Sequence, residues 1–197
     1  MDDGLKSSQK YGSSGSIIKK NDFVTKNFWL NGYNGVWTID HDDGSQYWND
    51  TQNLMAFGGC KNYLGHSKSC DHNVIIFPGD YDNNGVERGS NPCQTDDSSN
   101  FGNQYHDNNH CFTADGIFYA DGSMRGCTSG DISSHVYQTF NNKLYSGGNV
   151  PGGNFTAPGP CTDFKSWQAA GQDTGSQTLP LPSAAGIVAI AKQVLGA

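Results

Sequence analysis

The sequence predicts an all-β fold wound as a parallel β-helix, a solenoid, and two observations carry the prediction. Five asparagines each stand just ahead of a short apolar run. They are Asn21 before Phe23-Val24, Asn53 before Leu54-Met55-Ala56-Phe57, Asn73 before Val74-Ile75-Ile76-Phe77, Asn109 before Cys111-Phe112 and Asn142 before Leu144-Tyr145. Asparagine tolerates the left-handed backbone conformation and bonds its own backbone in turns. A turn asparagine followed by a strand, repeated along the chain, describes coils that stack and bury their apolar faces on one another. Composition is the second observation. With 26 Gly in 197 residues and only 35% apolar residues, the chain is too turn-rich for a helical bundle; with 12% aromatic residues it is too apolar for disorder.

The elements follow in order. Residues 1–15 are polar and rich in Gly and Ser, and read as a flexible segment or a partial first coil. Residues 16–160 carry the coils. Ile17-Ile18 opens the first strand, and Gly35 to Ile39 is a second, rich in β-branched and aromatic residues. Tyr47-Trp48 and Leu54 to Phe57 follow. Val74 to Phe77, ended by Pro78-Gly79, reads as a fully buried strand with a turn behind it. The asparagines recur at intervals of 32, 20, 36 and 33 residues. The stretch from Gly79 to Gln104 therefore reads as a long excursion from the stack. Residues 161–197 form a helical capping segment. Thr162 to Ala170 is a short helix, and Ser183 caps a last helix whose stripe is Ile187, Val188, Ile190, Ala191, Val194 and Leu195, with Gly196 behind it. That amphipathic helix is expected to cover the open end of the stack.

Charge and cysteines bound the function. Twelve Lys and Arg against 19 Asp and Glu leave a net charge of −7, with no basic stripe for nucleic acid or an anionic membrane. No apolar run reaches the length of a membrane span. The six cysteines, Cys60, Cys70, Cys93, Cys111, Cys127 and Cys161, form no CxxC pair. An even count in a loop-rich chain points to disulfides and an oxidising compartment, with Cys60–Cys70 the easiest local pair. The sequons Asn49-Asp50-Thr51 and Asn154-Phe155-Thr156 agree with an extracellular, secreted glycoprotein. Met1-Asp2-Asp3-Gly4 is acidic rather than a secretory signal, so the chain reads as part of a longer precursor.

Three runs bring a known family into view: Trp37-Thr38-Ile39-Asp40-His41-Asp42-Asp43-Gly44-Ser45, then Gly58-Gly59-Cys60-Lys61-Asn62, then Cys70-Asp71-His72-Asn73-Val74-Ile75. They resemble right-handed parallel β-helix proteins of the pectin-lyase-like superfamily, and most closely its eukaryotic extracellular members. The tail from Phe164 to Ser176 is similar to the end of many carbohydrate-active β-helices. The resemblance implies a right-handed helix with further coils ahead of the aspartate-rich run, so the chain looks like the C-terminal part of such a protein. The superfamily mixes lyases, hydrolases, epimerases, adhesins and structural proteins, so the fold alone names no activity.

Candidate sites are three. Asp40, His41, Asp42 and Asp43 form the densest ionisable cluster and the candidate catalytic group. Asp40 and Asp42 on one strand face stand about 6.6 Å apart, inside the ~6.5–9.5 Å range of inverting glycosidases. The pair resembles the aspartates of polygalacturonase-type β-helices. The glycine-flanked histidine of that type is matched only in part by Gly65-His66-Ser67, and the Arg-x-Lys clamp is lacking. The competing reading is an aspartate-rich turn bonding backbone N–H groups. Asp80-Tyr81-Asp82-Asn83-Asn84-Gly85 fits the front half of a calcium loop, with Asp80, Asp82, Asn84 and Glu87 as ligands for Ca2+, or else an ordinary turn. Trp29, Tyr33, Tyr47 and Trp48 are candidates to stack on sugar rings, or core residues. His72, His106 and His110 read as structural histidines beside asparagine turns. The expected function is an extracellular structural or carbohydrate-binding module whose partners are a carbohydrate or glycoprotein, with self-association. The alternative is a polysaccharide lyase or glycoside hydrolase.

Overall fold

The structure, a computed structural model, describes residues 20–30, 37–41, 45–62, 65–81, 87–90, 94–96, 101–114, 116, 118–121, 136–147 and 163–197. Strands dominate it. The first round holds β1 (Asp22–Thr25), β2 (Phe28–Leu30) and β3 (Trp37–His41); the second holds β4 (Trp48–Thr51), β5 (Leu54–Ala56) and β6 (Gly59–Asn62). The third has β7 (Ser69–Asp71) and β8 (Val74–Ile76), then β9 (Gly79–Tyr81) and β10 (Glu87–Ser90), then β11 (Gln94–Asp96). The fourth is β12 (Phe101–His106), β13 (His110–Thr113) and β14 (Tyr119–Asp121), and the fifth begins with β15 (Val136–Phe140) and β16 (Lys143–Ser146). Helix α1 (Phe164–Ala169), strand β17 (Gln177–Pro180) and helix α2 (Ala184–Leu195) end the described chain.

The strands assort into three parallel sheets. Sheet I runs β1-β4-β7-β12-β15, sheet II runs β2-β5-β8-β13-β16-β17, and sheet III runs β3-β6-β11-β14. The chain visits I, II and III in turn and returns one strand further along. Among the described strands only β9 and β10 break the pattern, pairing antiparallel. The excursion expected from Gly79 to Gln104 thus begins with this antiparallel pair, and the chain is back in sheet III by Gln94.

Side chains alternate as strand geometry demands. Trp29, Met55, Ile75, Cys111 and Leu144 form one inward column on sheet II, and Val24, Cys70 and Tyr105 lie on another on sheet I. Together with Ile39, Cys60, Phe118 and Tyr119 they make the interior cluster. The outward residues of sheet II make a second cluster, in which Val74, Phe112 and Tyr145 meet Ile187 and Ala191 of α2. The last helix therefore lies on the outer face of sheet II, not across the open end. The reason is in sheet II itself: β8 and β13 are apolar on both faces, so the outer face also needs a cover. The end is met instead by α1, whose Trp167 is fully buried in the interior cluster and stacks on Tyr119 at 5.7 Å. Asp163 caps α1 by accepting the Ser166 N–H at 2.8 Å.

Four of the five asparagines stand ahead of strands of sheet II and join one hydrogen-bonded ladder, and Asn21 does not. The Asn53 N–H donates to Asn73 Oδ1 at 2.9 Å, Asn73 N–H to Asn109 Oδ1 at 3.0 Å, and Asn109 Nδ2 to Asn142 Oδ1 at 3.1 Å. The first member is Asn27, not Asn21: its N–H donates to Asn53 Oδ1 at 3.0 Å. Asn21 precedes β1, which belongs to sheet I, whereas the ladder occupies the corner ahead of sheet II. Ser176 ends it, accepting the Asn142 N–H at 2.7 Å. The left-handed residue is the one before the asparagine: Lys26, Gln52, His72, Asn108 and Asn141 have φ of 58°, 56°, 52°, 59° and 56°. The ladder asparagines thus supply amides to the neighbouring rounds, and their predecessors make the turn.

Candidate functional site

Of the aspartate-rich run, Asp40 and His41 are described, and their side chains lie on opposite faces. Asp40 and His41 alternate on β3, so Asp40 points out and His41 points in. Asp40 accepts from Lys61 Nζ at 3.0 Å. His41 Nε2 lies 2.7 Å from Asp50 Oδ2, both side chains are buried, and Trp48 stacks on the imidazole at 5.0 Å. Asp42 and Asp43 lie outside the described residues, as do Asp82 and Asn84 of the expected calcium loop; of Asp80 and Glu87 the backbone alone is described, in β9 and β10. Among the described residues no group of three or more His, Cys, Asp or Glu side chains is arranged to hold a metal ion.

The described members of the expected aromatic platform have different surroundings. Trp29 packs inward against the interior cluster. Tyr47 sits at a left-handed turn and meets His66 edge-on at 5.3 Å. Trp48 is committed to His41, and Tyr33 lies outside the described residues. The Cys60 and Cys70 thiols are separate, 3.7 Å apart and buried, rather than bonded to each other. Cys111 is disulfide-bonded. Cys93, Cys127, Cys161 and the sequon residue Asn154 lie outside the described residues, whereas Asn49 is half-buried on β4.

The functional groups that do converge lie on the outer face of sheet I. Register builds two outward columns there. One is Asn49, Ser69, Gln104 and Gln138; the other is Thr51, Asp71, His106 and Phe140. The turn residues Gln52, His72, Asp107, Asn108 and Asn141 flank the second column. Two side-chain networks run across this face, one around Asp71 and one around His106, and the His72 backbone N–H donates to the Asp107 carbonyl between them at 2.9 Å. Thr51 Oγ1 donates to Asp71 Oδ1 at 2.6 Å, and His72 Nδ1 lies 2.7 Å from the same oxygen. His106 Nε2 lies 2.9 Å from Ser69 Oγ, and His106 Nδ1 lies 3.0 Å from Asp107 Oδ2. Asn141 Nδ2 donates to Asp107 Oδ1 at 2.8 Å. The His106 ring is stacked on Phe140 at 4.8 Å and 15°. Hydrogen bonds from Asn141 and then His106 hold the Asp107 carboxyl below its usual range, so it is ionised at neutral pH.

Round four is irregular twice on this sheet: β12 shifts register against β15 between Phe101 and Asn103, and the corner after His106 is longer than its neighbours. Two residues separate Asp71 from Val74 in round three, and Phe140 from Lys143 in round five. Three separate their register partners His106 and His110 in round four. Asp107 and Asn108, with φ of 45° and 59°, share the corner that a single left-handed residue fills elsewhere. An inserted residue that re-aims a side chain is the usual signature of a functional irregularity in a sheet.

Sequence reading assigned His72 and His106 to structure and passed over Ser69, Asp71, Gln104, Asp107 and Gln138. The signal that marks this face is the pair Asp71-His72-Asn73 and His106-Asp107-Asn108-Asn109, the same residue types ahead of a ladder asparagine with one residue added.

No protein-family model, no curated protein and no solved structure matches the chain. No helix among the described residues is long and apolar enough to cross a membrane.

Proposed function

We propose that the chain is a right-handed parallel β-helix acting as an extracellular structural and carbohydrate-binding module. The observation that carries the reading is the contrast between two outer faces. The outer face of sheet II is covered by α2 at Val74, Phe112 and Tyr145, whereas sheet I keeps exposed Gln104, Gln138, Asn108 and Asn141 beside hydroxyl, carboxylate and imidazole groups. Amides and carboxylates at strand spacing match the alternating donors and acceptors of sugar hydroxyls, and the Phe140 ring stands at the end of a column. The return of the chain to I, II and III in turn, and the asparagine ladder, support the β-helix. The disulfide at Cys111 supports an oxidising compartment. The test is binding of the chain to a panel of neutral and uronic-acid glycans, compared with Gln104→Ala/Gln138→Ala. Selective binding weakened in the double variant is expected; no binding above a denatured control would sink the reading.

The module also self-associates in this reading. Among the described strands the first round supplies an edge of all three sheets, and it carries Phe23, Phe28 and Leu30 at 61%, 65% and 60% exposure. Apolar side chains on strand edges seek a partner. Sedimentation over a range of concentration tests this, and a monomer throughout counts against it.

A further inference from the structure

We propose that Ser69, His106 and Asp107 form a nucleophile–base–carboxylate relay that hydrolyses carboxylic esters, with an ester carried on a saccharide as the substrate class. The saccharide half of this assignment rests on the carbohydrate-binding reading above; the relay does not.

Geometry carries the proposal. The imidazole of His106 has the Ser69 hydroxyl 2.9 Å from Nε2 and the Asp107 carboxylate 3.0 Å from Nδ1. These are the connections a serine hydrolase needs, with the nucleophile on one ring nitrogen and the orienting carboxylate on the other. With Nδ1–H donating to Asp107, Nε2 is left to accept the Ser69 proton. Stacking on Phe140 fixes the ring, and Asn141 Nδ2 fixes the far oxygen of Asp107 at 2.8 Å. The relay faces outward on sheet I, where a polymer has access. Asp107 fills the extra position that round four carries at this corner, and the corresponding corner of round five has Asn141 there alone.

The chemistry balances without a cofactor. Ser69 Oγ attacks the acyl carbon, and its proton passes to His106 Nε2. The tetrahedral intermediate collapses, the ester C–O bond breaks, and His106 protonates the departing alkoxide, which leaves as an alcohol. Water then attacks the acyl-serine, gives a proton to His106, and Ser69 takes it back as the acid departs. Asn49 and Gln104 are the register partners of Ser69 on its two sides. They lie on the strands about 4.8 Å to either side and carry the amide groups on this face assigned to the oxyanion, although Gln104 Nε2 lies 3.5 Å from Gln138 Oε1 and must turn from it to serve. Asp107 is a positioning residue, acting through His106.

The experiment combines a fluorophosphonate probe, mapped by peptide mass spectrometry, with hydrolysis of p-nitrophenyl acetate. Expected are a label on Ser69, loss of label and turnover in Ser69→Ala, and a turnover drop of about 10²–10⁴-fold in Asp107→Asn. The Asp107→Asn pH–rate profile should also shift while its circular dichroism stays unchanged, which a merely structural role would not produce. An unlabelled Ser69, with p-nitrophenyl acetate turnover no faster than in Ser69→Ala, overturns the relay. Glycan binding with no label leaves the carbohydrate reading standing and removes the relay. Turnover of p-nitrophenyl acetate without turnover of any O-acetylated or methyl-esterified glycan overturns the saccharide assignment alone.

Discussion

Asn109 holds Asn73 across 36 residues of chain: its Oδ1 accepts the Asn73 backbone N–H at 3.0 Å and the Asn73 Nδ2 at 3.2 Å. Its own Nδ2 donates to the Cys70 and His106 carbonyls, both at 2.8 Å. Asn109 is fully buried, so no water can replace these bonds. Asn109→Ala strands a buried N–H and the two carbonyls, and each orphaned group costs about 1–3 kcal/mol. A loss of about 3–5 kcal/mol in urea unfolding is expected, against under about 1 kcal/mol for Asn21→Ala, which is exposed. Equal losses would show that the ladder carries no special weight.

Much of this corner was legible in the sequence, because a buried amide ahead of an apolar run is a local signal. Asn53, Asn73, Asn109 and Asn142 needed no knowledge of the fold. Asn27 was hidden because Asn21 offered a competing match six residues earlier, and nothing local says that β1 belongs to sheet I. The position of α2 was illegible for a similar reason. Its stripe shows that it packs, but whether on the end or on a face depends on Val74, Phe112 and Tyr145 pointing outward together. The relay was least legible of all, since Ser69 and His106 lie 37 residues apart and only stacking of rounds brings them to 2.9 Å.

His110 makes stability depend on acid. It is buried on the outer side of sheet II, with Lys143 and Val74 as register partners and the Tyr145 hydroxyl 3.2 Å from Nδ1. Burial, and then the Lys143 charge, push its pKa down to about 4. An unfolded histidine titrates near ~6.5. Between these values the unfolded chain binds the proton and the folded chain does not, so the neutral-ring contribution is complete above about 6.5 and is lost as pH falls towards 4. The urea midpoint should drop between pH 7 and pH 5 in the wild type and drop less in His110→Gln. An equal drop in both would assign the effect to other groups.

The Cys60 and Cys70 thiols should be silent in the native protein and reactive once it unfolds. Both are buried, and burial, then the hydrogen bond with the Cys60 thiol, pushes the Cys70 thiol up, so little of its reactive thiolate forms. Iodoacetamide without reductant should leave both unmodified in the native state and alkylate both in denaturant. Cys111 should require a reductant as well. Recovery of a Cys60–Cys70 cross-linked peptide from unreduced protein would contradict two separate thiols.

Helix α2 should fail through Ile187. That side chain is 5% exposed and, with Ala191, packs into the cluster of Val74, Phe112 and Tyr145. The helix is anchored at its start by Ser183 Oγ, which accepts the Gly186 N–H at 3.2 Å, and stopped by left-handed Gly196 at φ 71°. Twelve residues do not hold a helix in water unaided, so its stability comes from this packing. Ile187→Ala should cost about 2–4 kcal/mol. Ile187→Asp should release the helix outright, lowering the helical circular dichroism signal and raising binding of a hydrophobic dye as the outer face of sheet II opens. Because the ladder and interior cluster do not involve α2, most of the strand signal should survive. Loss of strand and helix together in Ile187→Asp would show instead that the outer cover is needed for the sheets to form.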